Sequence, residues 1–330
     1  MSLELTYVLP LRWDQERDLD EITGYLQQLS GTVDLIVVDG SAAPIFAAHR
    51  DAWEGLGMHI PPDRDLSFLN GKVDGVFTGV RRAHFEAVVI ADDDVRYGFE
   101  ALRRTAELLE HNELVRPQNY FDPMPWHARW DTSRSLLNRA LGADFPGTLG
   151  FQKSFFVAMG GYDGNVMFEN LELIRTVAAA GGREVIPLDL FVARVPPDSS
   201  GFWHQRVRQA YDDLAMPLRL ITFLSLLPLV IATRSPLRQT MLRGLVASSM
   251  LMAEVGRRRS GGASVFPTSA SAFAPLWLGE RALCSWLALG SRVFRGGVAY
   301  RNGTIRAAAT PERRLRARFQ RGEPPAHPLP

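Results

Sequence analysis

The chain has 330 residues, 46% of them hydrophobic and 22% charged, a balance that excludes a disordered or fibrous protein and suits one large domain or a domain with an appendage. Its single cysteine, Cys284, excludes an internal disulfide and any multi-cysteine metal site. The net charge of +1 hides a division: residues 1–217 hold 20 basic and 32 acidic side chains, a balance of −12, whereas residues 218–330 hold 17 arginines against 4 glutamates, a balance of +13.

In chain order, LTYVLPL at residues 5–11 reads as a first strand, and Leu19, Ile22, Leu26 and Leu29 then recur at helical spacing over residues 18–29. DLIVV at residues 34–38 is a buried strand that ends in the loop Asp39-Gly40-Ser41. Residues 58–60 form a short strand and residues 71–83 a helix. AVVIA at residues 87–91 is a third clear strand, closed by Asp92-Asp93-Asp94. Strands alternating with helices imply an α/β sheet, and ligands of open α/β sheets gather beyond the carboxyl ends of the strands. Both acidic loops fall there.

Residues 120–130 (YFDPMPWHARW) are rich in aromatics and prolines and read as a loop. Helices follow at residues 131–141 and 168–180, the latter ended by Gly181-Gly182, with further strand at residues 185–195. Trp126, Trp130 and Trp203 suit stacking on a sugar or a lipid as much as core packing. After Pro217 come apolar runs at residues 220–233, 244–253 and 282–291 and an uncharged stretch at 260–279 with two prolines and many small residues, none of which is an uninterrupted span of about 20 apolar residues. Arginines stand at their ends, among them Arg219, Arg234, Arg243 and Arg292. The division expected is an α/β domain over 1–217, a hydrophobic helical region over 218–308 and a basic, disordered tail over 309–330. Apolar stretches between arginines favour anionic lipid over nucleic acid. No secretory leader opens the sequence, and a membrane-associated protein with its α/β domain in the cytoplasm is expected.

Three acids in a row repel one another unless a cation or a basic partner is present. Carboxylates at i and i+2 of an extended segment point the same way, so Asp92 and Asp94 can act on one divalent cation, and such a cation can neutralise a departing diphosphate. The order of VVDGS, Gly71-Lys72, the helix, AVVIA and the acid triplet resembles glycosyltransferase family 2, whose members have a GT-A fold: a mixed sheet flanked by helices. The resemblance implies that Asp39 contacts the nucleotide base, that Lys72 lies near the donor, and that Asp92 and Asp94 hold Mg²⁺ or Mn²⁺. It also places Pro10 and Asp93 beside the nucleotide-sugar and makes a UDP-sugar the expected donor.

Gly160-Gly161-Tyr162-Asp163 followed by Phe168-Glu169-Asn170-Leu171-Glu172 is similar to the family's glycine turn and acidic helix start, whose second acid is the general base. Asn170 occupies that second position and cannot accept a proton; Glu169 is the first candidate in its place and Glu172 the second. FWHQRVRQAYDD at residues 202–213 is similar to the family's Gln-x-x-Arg-Trp motif, with Gln205 and Arg208 matching and Gln209 where tryptophan is usual. Arg208 suits a diphosphate because its planar fork donates two hydrogen bonds. The hydrophobic rear looks like that of the lipid-directed branch that includes ceramide glucosyltransferases. The resemblance thus implies an inverting, metal-dependent transfer from a nucleotide-sugar to a hydroxyl on a lipid or cell-envelope glycan. A non-catalytic sugar-nucleotide-binding membrane protein is the alternative that Asn170 raises. A nucleotidyltransferase ranks last, because Pro10-Leu11-Arg12-Trp13 stands where a glycine-rich phosphate loop is required.

Overall fold

The computed structural model describes residues 2–300 and 303–323. The first part alternates as β1 (Leu5–Leu11), α1 (Asp20–Leu29), β2 (Asp34–Asp39), α2 (Ala43–Ala52), β3 (Met58–Ile60), α3 (Gly71–Arg82) and β4 (Ala87–Ala91). Strands β3, β2, β1 and β4 lie side by side and parallel. Helices cover both faces of such strands, which is why their sequences are continuous apolar runs. Alternate residues of β1 enter opposite cores: Val8 packs with Val38, Phe77 and Ile90, whereas Tyr7 and Leu9 pack with Leu26, Leu35 and Val89.

β5 (Val95–Arg96), α4 (Phe99–Leu109), β6 (Leu114–Val115), β7 (Gln118–Phe121), α5 (Trp126–Leu141), β8 (Thr148–Gln152), α6 (Lys153–Ala158), α7 (Glu169–Ala179), β9 (Glu184–Val185), β10 (Phe191–Arg194) and α8 (Ser199–Ala210) follow. β8 runs antiparallel to β4 and β6, completing a mixed sheet of order β3-β2-β1-β4-β8-β6-β9, while β5, β10 and β7 form a second, small sheet. The pairing of β1 with β4 ends at Val8–Ile90, whereas β1 continues beside β2 to Leu11–Asp39. Pro10, which has no N–H to donate, lies beyond that end, so it interrupts no bond to β4. The sheet parts there, and the parting opens a cleft.

α3 lies so close to β1 that side chains are excluded from it. A methyl group on Gly79 would stand 2.3 Å from Val8 Cγ1, and one on Gly75 would stand 2.7 Å from Pro10 Cβ. Gly79→Ala is therefore expected to lower stability by about 1–3 kcal/mol despite alanine's better helix propensity. Urea unfolding measures it; an unchanged or raised midpoint would contradict the close approach.

The rear comprises α9 (Pro217–Ala232), α10 (Ser235–Arg258), α11 (Thr268–Ala272) and α12 (Ala274–Phe294), then the hairpin β11 (Val298–Tyr300) and β12 (Gly303–Ile305), and α13 (Glu312–Gln320). α10 packs on α5, and α12 packs on α8, α9 and α5. Among the described residues, no helix is long and apolar enough to cross a membrane. Two expectations need correction. Residues 120–130 are not a loop: β7 extends to Phe121 and α5 starts at Trp126, because Trp126 and Trp130, four residues apart, share a helix face against Phe202 and Trp203. Nor is the basic tail without structure. α13 packs on α7, with Leu315 buried, and Thr310 N donates to Glu172 Oε2 at 2.6 Å; residues 324–330 lie outside the described part.

Candidate active site

Asp39 ends β2 with its side chain wholly buried. Its Oδ2 accepts from His49 Nδ1 at 2.7 Å and from His59 Nε2 at 3.1 Å, and its Oδ1 accepts from Ser41 N at 2.8 Å. His49 stacks on Trp53 and His59 on Phe46, with ring centroids 4.5 and 4.4 Å apart. Burial alone would raise the Asp39 carboxyl, but the hydrogen bonds from His59, Ser41 and His49 outweigh it and hold the group at about 2, below its ordinary 3.8. A depressed carboxylate stabilises the fold above its unfolded-state value, and that stabilisation is lost as pH falls through the folded-state value. About 2 kcal/mol of stability is therefore expected to vanish between about pH 4 and pH 2. Asp39→Asn should flatten that segment of a pH-dependent denaturation series; an identical slope in the variant would refute the assignment.

The acid triplet follows β4. Asp92 N donates to Gly147 O at 2.9 Å and Val95 N to Asp92 O at 3.0 Å, which turns the chain into β5. Asp93 faces one way, its Oδ2 accepting from Trp13 Nε1 at 2.8 Å. Asp92 and Asp94 face the other. Arg194, at the end of β10, donates from Nη2 to Asp94 Oδ2 at 2.6 Å and stands 3.6 Å from Asp92 Oδ2. Lys72 Nζ bridges Asp92 Oδ1 and Glu169 Oε1, the latter at 2.6 Å. Asn70, which caps α3 by accepting from Lys72 N, also donates to Glu169 Oε2 at 3.0 Å. Burial opposes charge at Asp92, yet Lys72 and Arg194 hold its carboxyl below the ordinary range. At Asp94, burial prevails with help from the Asp92 charge and raises the carboxyl, although Arg194 pulls the other way. A methyl group on Gly147 would stand 2.6 Å from Asp92 Oδ2 and 2.9 Å from Arg194 Cζ, so only glycine leaves room for this cluster.

Asp39, Lys72, Asp92, Asp93, Asp94, Glu169 and Arg194 line one cleft of about 1120 Å³ together with Pro10, Gln205, Arg208 and Tyr300. Arg208 lies over the Tyr300 ring at 5.2 Å, and Tyr300 donates to Asn70 Oδ1 at 3.3 Å. The structure thus gathers Pro10, Asp39, Lys72, Asp92, Asp93, Asp94, Glu169, Gln205 and Arg208. It leaves Glu172 elsewhere: buried, facing Thr310, and raised by that burial. Asn170 turns to Pro146 O at 3.0 Å. Trp126, Trp130 and Trp203 form an aromatic cluster with Phe202 outside the cleft lining. Sequence reasoning missed Arg194, His49, His59, Gly147 and Tyr300.

Two clusters have donor sets of different kinds. Asp39, His49 and His59 place ligand atoms within 4.8 Å of one another, a nitrogen-rich set of the sort that suits zinc or iron, but they are already joined by hydrogen bonds. Asp92 and Asp94 offer only carboxylate oxygens, the set preferred by Mg²⁺ or Mn²⁺, and those oxygens are here paired with Lys72 and Arg194.

No model of a known family matches the chain, and no curated protein matches it. Among solved structures, a mannosyltransferase from Pyrobaculum calidifontis, in complex with GDP-Man and Mn²⁺, superposes over 89% of this chain and 88% of its own with a TM-score of 0.54 at 15% identity. The two share a fold. S. aureus TarS 1-349 covers 89% of this chain and 93% of its own at 12% identity, with a TM-score of 0.46. Glucosyl-3-phosphoglycerate synthase from Mycobacterium tuberculosis, in complex with Mn²⁺, UDP-Glc and glycerol 3-phosphate, covers 60% and 74% at 16% identity, with a TM-score of 0.41. The last two overlap this chain less closely.

Proposed function

We propose that the protein is an inverting glycosyltransferase that requires Mg²⁺ or Mn²⁺ and moves a sugar from a nucleoside-diphosphate sugar to a hydroxyl of a lipid or cell-envelope glycan. One observation supports this reading: a cleft at the carboxyl ends of β2 and β4 collects the buried Asp39, the carboxylates of Asp92 and Asp94 and three cationic side chains, Lys72, Arg194 and Arg208. Asp92 and Asp94 are the residues that would hold the metal ion, which when bound supplies positive charge against a departing diphosphate.

The chain's own groups account for the rest. Asp39, at the end of β2 in the cleft lining, is the residue that would face the nucleotide base. Lys72 and Arg208 donate to diphosphate oxygens. Glu169 accepts the proton of the acceptor hydroxyl while that oxygen bonds to the anomeric carbon. The bond from that carbon to the diphosphate oxygen breaks on the opposite face, and its electron pair leaves with the nucleotide.

Thermal shift against a panel of UDP- and GDP-sugars, with Mn²⁺ and with EDTA, tests donor binding. One nucleotide-sugar at a hundredfold excess over its Kd is expected to stabilise the fold by about 2.7 kcal/mol, and only with the metal. Silence across the panel would remove the basis of the proposal. Metal-dependent donor binding with neither transfer nor donor hydrolysis would favour the sugar-nucleotide-binding alternative that Asn170 motivates.

A further inference from the structure

We infer that α9 and α12 form a face that docks on an anionic phospholipid bilayer. Ile221, Leu224, Pro228 and Leu229 of α9 and Trp286 of α12 line an apolar groove of about 500 Å³. Its walls are open: Ile221 is 60% exposed, Leu229 54% and Trp286 43%. Leu218, one turn before Ile221, and Leu283, one turn before Trp286, are exposed as well. Large apolar side chains clustered around one groove and left open to solvent point to an interaction surface.

The length of α9 says how a bilayer would be met. Its 16 residues span about 24 Å, less than the roughly 30 Å of a hydrocarbon core, so the helix is too short to cross a bilayer and meets it at the surface. Tryptophan favours that same depth. Charge selects the occupant. Arg234 and Arg238, where α9 passes into α10, are exposed. The two acids between residues 217 and 297 are Glu254 and Glu280; the first is paired with Arg257 at 2.7 Å and Arg258 at 2.6 Å, the second with Arg206 at 3.5 Å. A second copy packed two-fold on α9 would set Arg234 and Arg238 against a stretch, residues 217–297, whose two acids are already paired. Anionic headgroups satisfy the two arginines.

Docking stands apart from transfer, because it needs neither donor nor metal. The test is flotation of the full chain with vesicles of phosphatidylcholine alone or of equal parts phosphatidylcholine and phosphatidylglycerol. The chain is expected to rise with the anionic vesicles and to stay down with the neutral ones. Ile221→Asp with Leu229→Asp should abolish flotation, while circular dichroism and the donor-dependent thermal shift confirm that the fold is kept. Arg234→Gln and Arg238→Gln, both at exposed positions, should lower partitioning about fivefold for each charge removed, and they serve as the test if the aspartate variant misfolds. Failure of the wild-type chain to float, equal binding to both vesicles, or variants that float like the wild type would overturn the inference. So would a dimer in sedimentation that the aspartates dissociate while vesicles go unbound.

Discussion

Asp92→Asn is expected to cut transfer by at least about a hundredfold while the protein stays folded. The substitution keeps the shape of the side chain and removes its charge. The backbone bonds that build the turn, from Asp92 N to Gly147 O and from Val95 N to Asp92 O, do not involve the carboxylate. Lys72 retains Glu169 as a partner, and Arg194 retains Asp94. The unfolding midpoint should therefore move little. What disappears is one of two carboxylates facing the same point of the cleft, and with it the site proposed for the cation. Initial rates over a Mn²⁺ titration, with a urea melt on the same preparation, read both halves of this expectation. Turnover comparable to the wild type at ordinary Mn²⁺ would mean that Asp92 holds no ion; a collapsed melt would mean that its role is structural.

Why Asp92 and Asp94 could be singled out from sequence, and Arg194 could not, follows from what each depends on. Parallel strands covered on both faces must be apolar at every position, so DLIVV and AVVIA announce themselves, and the acids that follow stand at the sheet's edge by local reasoning alone. The i, i+2 geometry is equally local, and the structure turns Asp92 and Asp94 to one side and Asp93 to the other. Arg194 reaches Asp94 across 100 positions, and Tyr300 reaches Asn70 across 230. No spacing in the sequence encodes such meetings. His49 and His59 were hidden differently. α2 (APIFAAHRDA) has no polar N-cap and only Ile45 and His49 buried, so its apolar stripe is too thin to mark a helix, and His49 gives no sign that it faces Asp39. The aromatic run at residues 120–130 misled in the opposite sense: prolines at 123 and 125 suggested irregular chain, but Pro125 only starts α5, and tertiary contacts with Phe202 hold the tryptophans in helix.

A buried ion pair between α5 and α8, with Glu280 of α12 beside it, supplies the second large effect. Arg206 of α8 is 3% exposed, and its Nη1 meets Asp131 Oδ1 of α5 at 3.1 Å and Glu280 Oε2 of α12 at 3.5 Å. Asp131 also accepts from Gln209 at 3.4 Å. Burial works against its charge, but Arg206 and Arg134 hold the carboxyl below the ordinary range. Removing one member of a buried pair leaves the other charged and unmatched, which typically costs 3–5 kcal/mol. Asp131→Ala is expected to destabilise the protein by about that amount in urea, with Glu280 left as the lone acid against Arg206. Because α8 carries Gln205 and Arg208 into the cleft on the same helix that Arg206 anchors, the variant should also bind donor more weakly at temperatures where it remains folded. Asp131→Asn, which keeps a hydrogen-bond acceptor for Arg206, should recover part of both losses. A variant as stable as the wild type would show that Arg206 finds sufficient compensation in Glu280 of α12 alone, and that the ion pair between α5 and α8 does not hold α8 in place.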